Sequence, residues 1–273
     1  MDSLPQDKYA SGILITSVIP QIPWLILPPL GGFLINKYGL LGIRLAYLIS
    51  SIISVVVAVI RQFTIKETLG NRVGKVTLRE LLHSYNQLTR IADLPGDLLM
   101  IYVSALLISI AIMPINTLLP IYVIYELGLN TVYWGYLVSL SYAAYIVIGI
   151  FLTFYVDRYR SKLFVLGTII SAVGSAIGLV KGVYPVVGYL LMLQVGVQLV
   201  ITAIQSELGS RIGVNRRGYG MSLLIVFQLI GQTIGSYLTG EFYRISTESL
   251  FLMPLILSLG LIAIYLSRTR RNV

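Results

Sequence analysis

The sequence has no cysteine, a single histidine and only 11% charged residues, less than half the roughly 25% of an ordinary soluble domain. Without cysteine there are no disulfides, thiolate metal sites or cysteine nucleophiles. The one histidine, His83, falls in a long polar stretch, where it reads as a solvated side chain rather than a proton shuttle. Enzyme signatures are missing too, since neither His-Glu-x-x-His nor Gly-x-Ser-x-Gly occurs. Gly70-Asn71-Arg72-Val73-Gly74-Lys75-Val76 has three residues between its glycines, where a phosphate loop has four, and no Ser or Thr after the lysine. No nucleotide, cofactor or metal site is expected from these patterns, and no enzymatic activity.

What is present is apolar: 56% of the 273 residues are hydrophobic. Runs of about 20 apolar residues recur along the chain, each long enough to cross roughly 30 Å of hydrocarbon as a helix. Eight spans are expected: Ala10 to Ile35, Leu41 to Ile60, Leu98 to Tyr125, Val132 to Val156, Leu163 to Val180, Val186 to Ser206, Met221 to Tyr243 and Leu250 to Leu266. The class is an all-α integral membrane protein with the lipid bilayer as its solvent. Pro20, Pro23, Pro28 and Pro29 kink the first span, and Pro114 and Pro120 the third. The opening, with Asp2, Pro5 and Asp7 before an apolar run longer than a signal's 7 to 15 residues, does not read as a signal peptide.

The net charge of +9 does not indicate nucleic acid, because the basic residues sit in short loops between apolar runs. Parity of the spans gives each loop a side. All but four of the 20 Lys and Arg residues collect on one side; the exceptions are Lys37, Arg44, Lys181 and Arg244. The positive-inside rule then makes the basic side cytoplasmic, with both termini inside and the protein multi-pass in a cell membrane.

Residues 63–97 form the one long polar stretch, a cytoplasmic linker dividing 1–62, with two spans, from 98–273, with six. Within it Leu78, Leu81, Leu82, Tyr85 and Leu88 share a helical face behind the capping-box spacing of Thr77 and Glu80. That face fits the inner membrane surface or the ends of the helix bundle. A weak repeat at an offset of 209 sets Leu14 on Leu223, Gly31 on Gly240 and Phe33 on Phe242, pairing the first two spans with the last two.

Polar residues inside spans are expensive and mark candidate sites. Gln194 and Gln198, four residues apart, share one face of the sixth span, and Gln228 and Gln232 do the same in the seventh. Tyr142 and Tyr145 centre the fourth span, and Asn116 follows the Pro114 kink. Two readings stand for this set: an uncharged hydrogen-bonding cavity, or interhelical glue worth roughly 0.6 to 2 kcal/mol per amide. Gly167, Ser171, Gly174 and Gly178, and separately Gly231 and Gly235, form small-residue stripes for close helix packing. Tyr133, Trp134 and Tyr136 gather at the outer end of the fourth span as interfacial anchors. No acidic residue falls deep in a span, so no proton relay is visible.

The loop Thr153-Phe154-Tyr155-Val156-Asp157-Arg158-Tyr159-Arg160-Ser161-Lys162 resembles the Gly-x-x-x-Asp-Arg-x-Gly-Arg-Arg/Lys signature of the major facilitator superfamily. Asp157, Arg158 and Lys162 match; Thr153 and Arg160 stand in the glycine places and Ser161 in that of a base. Arg217-Gly218-Tyr219-Gly220-Met221 and Pro28-Pro29-Leu30-Gly31-Gly32 also look like that family. The resemblance covers nearly the whole chain, as the fifth to twelfth helices of a twelve-helix carrier: two residual helices of a first bundle, then a complete six-helix second one. It implies a secondary carrier moving a small-molecule substrate by alternating access, with Asp157, Arg158 and Lys162 as a gating loop. Four opening helices are then unaccounted for, and a second chain or self-association is expected to supply them before transport occurs. The rivals are a non-transporting membrane protein, whether scaffold, decayed carrier or partner of another chain, and an unrecognised intramembrane enzyme.

Overall fold

The computed structural model describes residues 12, 15, 18–64, 96–153, 158–212 and 217–271, and every regular element among them is helical. Proline sets the breaks, because its ring removes the backbone donor that would continue the helix. The first apolar run is therefore two pieces rather than one rod. A 3-10 segment, Ile19–Leu25, holds Pro20 and Pro23, and helix α1 (Leu27–Tyr38) restarts with Pro28 in its first turn. Gly39, at φ 55°, ends α1, and α2 (Leu40–Thr64) follows at once.

The third run breaks at the same signal. It comprises α3 (Gly96–Ala111), α4 (Met113–Thr117), α5 (Leu119–Ile121) and a π turn, Tyr122–Glu126, with Pro114 and Pro120 at the joints. Asn130 then starts α6 (Thr131–Thr153): its Oδ1 accepts hydrogen bonds from the amides of Val132 and Tyr133, both at 3.0 Å. The remaining helices are α7 (Arg160–Gly178), α8 (Val183–Arg211), α9 (Arg217–Ile245) and α10 (Ser249–Arg271).

Among the described residues six helices are long and apolar enough to cross a membrane: Leu40–Thr64, Leu98–Glu126, Thr131–Leu152, Val183–Arg211, Gly218–Ile245 and Ser249–Leu266. The two other expected spans differ from these. One is the broken first run, and the other appears as the apolar but shorter stretch Lys162–Gly178. The amphipathic face expected across Leu78 to Leu88 lies outside the described residues, as do His83 and the Gly70 to Val76 loop.

Helix α8 is the centre of the packing. It contacts α7, α6, α3 and α9, and Tyr189, Leu190, Leu193, Val200 and Leu208 on it are fully enclosed. The small-residue stripe of α7 is what lets α8 approach so closely. A Cβ added at Gly167 would stand 2.6 Å from the carbonyl oxygen of Gly196, and one at Gly174 would stand 2.6 Å from Cβ of Met192. Gly231 and Gly235 seat α9 on α3 in the same way. Both stripes are therefore packing surfaces, as expected.

The first run lies along α6. The Thr131 hydroxyl donates to the Gly32 carbonyl at 3.0 Å, and the Ser139 hydroxyl to the Trp24 carbonyl at 3.3 Å. Val18 reaches further, into a small core with Leu163, Val195, Leu199 and Ala203. Helix α2 is the opposite case: no residue of its most apolar stretch is buried, and it packs on α1.

Candidate functional site

Two adjoining hollows lie where the broken first run meets α4, α6 and α8. The larger, of 470 Å³, is lined by Trp24, Asn116, Trp134, Ser141, Tyr142 and Gln194, among others. The smaller, of 200 Å³, is lined by Gln21, Tyr145, Gln198, Thr202 and Gln205, and shares Tyr142 and Gln194 with the first. None of the lining residues is charged.

The breaks position this lining. In a continuous helix Gln21 and Trp24 would be spaced along one rod, but the 3-10 segment brings them to the hollows beside α6 and α8. Trp24 stacks on Tyr142 with ring centroids 5.0 Å apart and planes 18° from parallel. Tyr142 and Tyr145 are tilted neighbours at 6.2 Å. A side-chain hydrogen bond joins Tyr142 to Gln194. Asn116 reaches the larger hollow because Pro114 and Pro120 break the helix on either side of it.

Five of the seven cavity candidates thus come together: Asn116, Tyr142, Tyr145, Gln194 and Gln198. Gln228 and Gln232 line neither hollow, and Gln232 is exposed. Their spacing puts them on a shared face, but Gly231 and Gly235 seat α9 against α3 and turn Gln232 outward. Gln21, Trp24, Ser141, Thr202 and Gln205 were not singled out from the sequence. Thr202 and Gln205 were within reach, since they continue the Gln194 and Gln198 face at i+8 and i+11. Trp24 and Gln21 were not, because proline kinks are legible in the sequence while the direction in which they turn the neighbouring side chains is not. Trp134, expected as an interfacial anchor, lines the larger hollow instead.

Gln198 is the least accessible of the lining glutamines. It is 4% exposed, and among the described residues neither its Oε1 nor its Nε2 has a hydrogen-bond partner. Nothing in the arrangement resembles interhelical glue at this position, since glue requires a partner.

Of the gating loop, Asp157 lies outside the described residues. Arg158 and Lys162 both face the Tyr159 ring, the guanidinium carbon at 5.5 Å and the ammonium at 5.2 Å from its centroid. Acidic groups near span ends pair locally: Glu207 with Arg211 at 2.8 Å and Glu241 with Arg244 at 3.6 Å. Among the described residues no three His, Asp or Glu side chains are grouped to hold a metal.

A lining of uncharged amide, hydroxyl and aromatic groups can hold a molecule by hydrogen bonds and ring contacts. No curated protein matches the chain. Residues 101–273, more than half of it, match the family model described as Major Facilitator Superfamily.

Proposed function

We propose that this chain, which belongs to the major facilitator superfamily, moves a small solute across a membrane by alternating access. The observation that carries this reading is the uncharged polar cavity, 470 and 200 Å³ in its two parts, between the broken first run and α6 and α8. Irregular backbone is tolerated at membrane depth where it lines such a cavity, and carriers bind their solutes at these interrupted helices. Six long apolar helices supply the membrane setting.

Alternating access takes two bundles rocking about a central site. In this reading the residues from 98 onward provide one bundle, and α1 and α2 belong to the other. The unburied surface of α2 is where a further contact would add most. The basic loops face the cytoplasm, and Asp157 with Arg158 and Lys162 braces the inner gate.

Reconstitution in liposomes, with the oligomeric mass determined, tests the reading. Saturable uptake of a solute panel, absent from empty liposomes, is the expected result. Stable insertion without flux, even after co-reconstitution of candidate partner chains, would favour a scaffold instead.

A further inference from the structure

We propose that the cavity takes an uncharged ring-shaped solute edged with hydroxyl or amide groups, and that Gln198 is the side chain that recognises that edge. The proposal rests on the cavity being the solute site, and it adds the chemical class of the solute.

Gln198 carries the argument. Its amide can make four hydrogen bonds, two given and two received. Here it is more than nine-tenths buried, on the wall of the smaller hollow, with both polar atoms unpartnered among the described residues. A buried amide left in this state is costly, so its retention calls for a partner that arrives from outside. Space has been kept for the side chain. A Cβ at Gly149 would stand 2.9 Å from Nε2 of Gln198 and 2.5 Å from Cγ2 of Val18, so a larger residue there would crowd the amide. An amide shows a donor and an acceptor side by side, which matches vicinal hydroxyls or another amide edge.

The rest of the lining narrows the class. An ion entering this cavity would lose its hydration and meet no counter-charge, because no lining residue is charged. Neutral hydrogen-bonding groups would find Gln21, Gln194, Thr202 and Gln205 around them. Trp24, stacked on Tyr142 and still 46% exposed, offers a flat apolar surface to one face of a ring. The larger hollow, at 470 Å³, lies within the usual size of small-molecule sites.

The chain's two tryptophans, Trp24 and Trp134, both line the larger hollow, so intrinsic fluorescence reports on the site itself. The purified full chain in lipid nanodiscs should be titrated with methyl glucopyranoside and uridine, and with their charged counterparts glucose 6-phosphate and uridine monophosphate. Expected is a saturable fluorescence change with a neutral probe, at least tenfold weaker for its phosphorylated counterpart. Gln198→Leu and the closer-fitting Gln198→Met should each weaken neutral binding at least tenfold while eluting as the parent does. Thr233→Val, exposed on α9, should leave it unchanged. Equal or tighter binding of the phosphates, full neutral binding in both Gln198 variants, or no response to either neutral probe would overturn the proposal. Carriage itself is judged separately by access to the cavity from the two membrane faces, which needs no ligand.

Discussion

At Gln198 two roles make opposite demands on stability. An amide that tied helices together would be missed when replaced by leucine, whereas an unpartnered one imposes a burial penalty of roughly 1 to 3 kcal/mol that leucine removes. The second situation is the one observed, so Gln198→Leu should unfold at the same or a higher temperature than the parent. A fall of several degrees in a thermal scan would mean that the amide holds helices after all. The sequence made Gln194 and Gln198 visible because charge-free spans leave few polar residues to consider, and their spacing puts them on one face. The same spacing puts Gln228 and Gln232 on a shared face that lines neither hollow. Periodicity says which residues share a face and not where that face points; at α9 the pointing is decided by Gly231 and Gly235 against α3. Trp24 was hidden for a different reason, since its place depends on a 3-10 segment that departs from the helical period.

Helices were the most legible level, because hydrocarbon permits few other ways of satisfying backbone polar groups. The apolar runs located the six long helices, and the prolines located the breaks in the first and third runs. The conformation adopted at a break was not legible: one became a 3-10 segment and the other two short helices and a π turn. Contacts between elements depend on glycines, and two substitutions test them. Gly167→Val places bulk 2.6 Å from the Gly196 carbonyl oxygen, where backbone cannot yield. It should lower stability by at least the roughly 1 to 3 kcal/mol of ordinary overpacking, read as a lower melting temperature. Melting unchanged from the parent would show that α7 and α8 are not held this closely. Gly135→Val puts its Cβ 2.5 Å from the Pro28 carbonyl oxygen and 2.7 Å from Cα of Pro29, so α1 should lift off α6 and open the Trp24 and Tyr142 stack. Acrylamide should then quench tryptophan fluorescence more strongly than in the parent; equal quenching would separate this contact from the placing of Trp24.

For the molecule as a whole, the same absence of charge that identifies a membrane protein also leaves the cavity lined by hydrogen-bonding groups and ring faces. The basic loops carry the proposed orientation. Arg158 and Lys181 flank the two ends of α7 and are both exposed, and the distribution of Lys and Arg assigns Arg158 to the cytoplasm and Lys181 to the outside. In a chain without native thiols, an impermeant reagent applied outside intact cells should label Lys181→Cys and spare Arg158→Cys; the reverse pattern would invert the topology. What the sequence could not convey is how α2 is covered, because lipid and protein partners call for the same apolar residues. The central claim is that this cavity opens alternately to the two faces of a membrane, and a single cysteine tests it most directly. Asn116, exposed within the larger hollow, should be replaced by cysteine and challenged with an impermeant thiol reagent from each side in turn, in sealed vesicles of known orientation. The account predicts labelling from both faces, and reaction from one face only, however long the exposure, would contradict it.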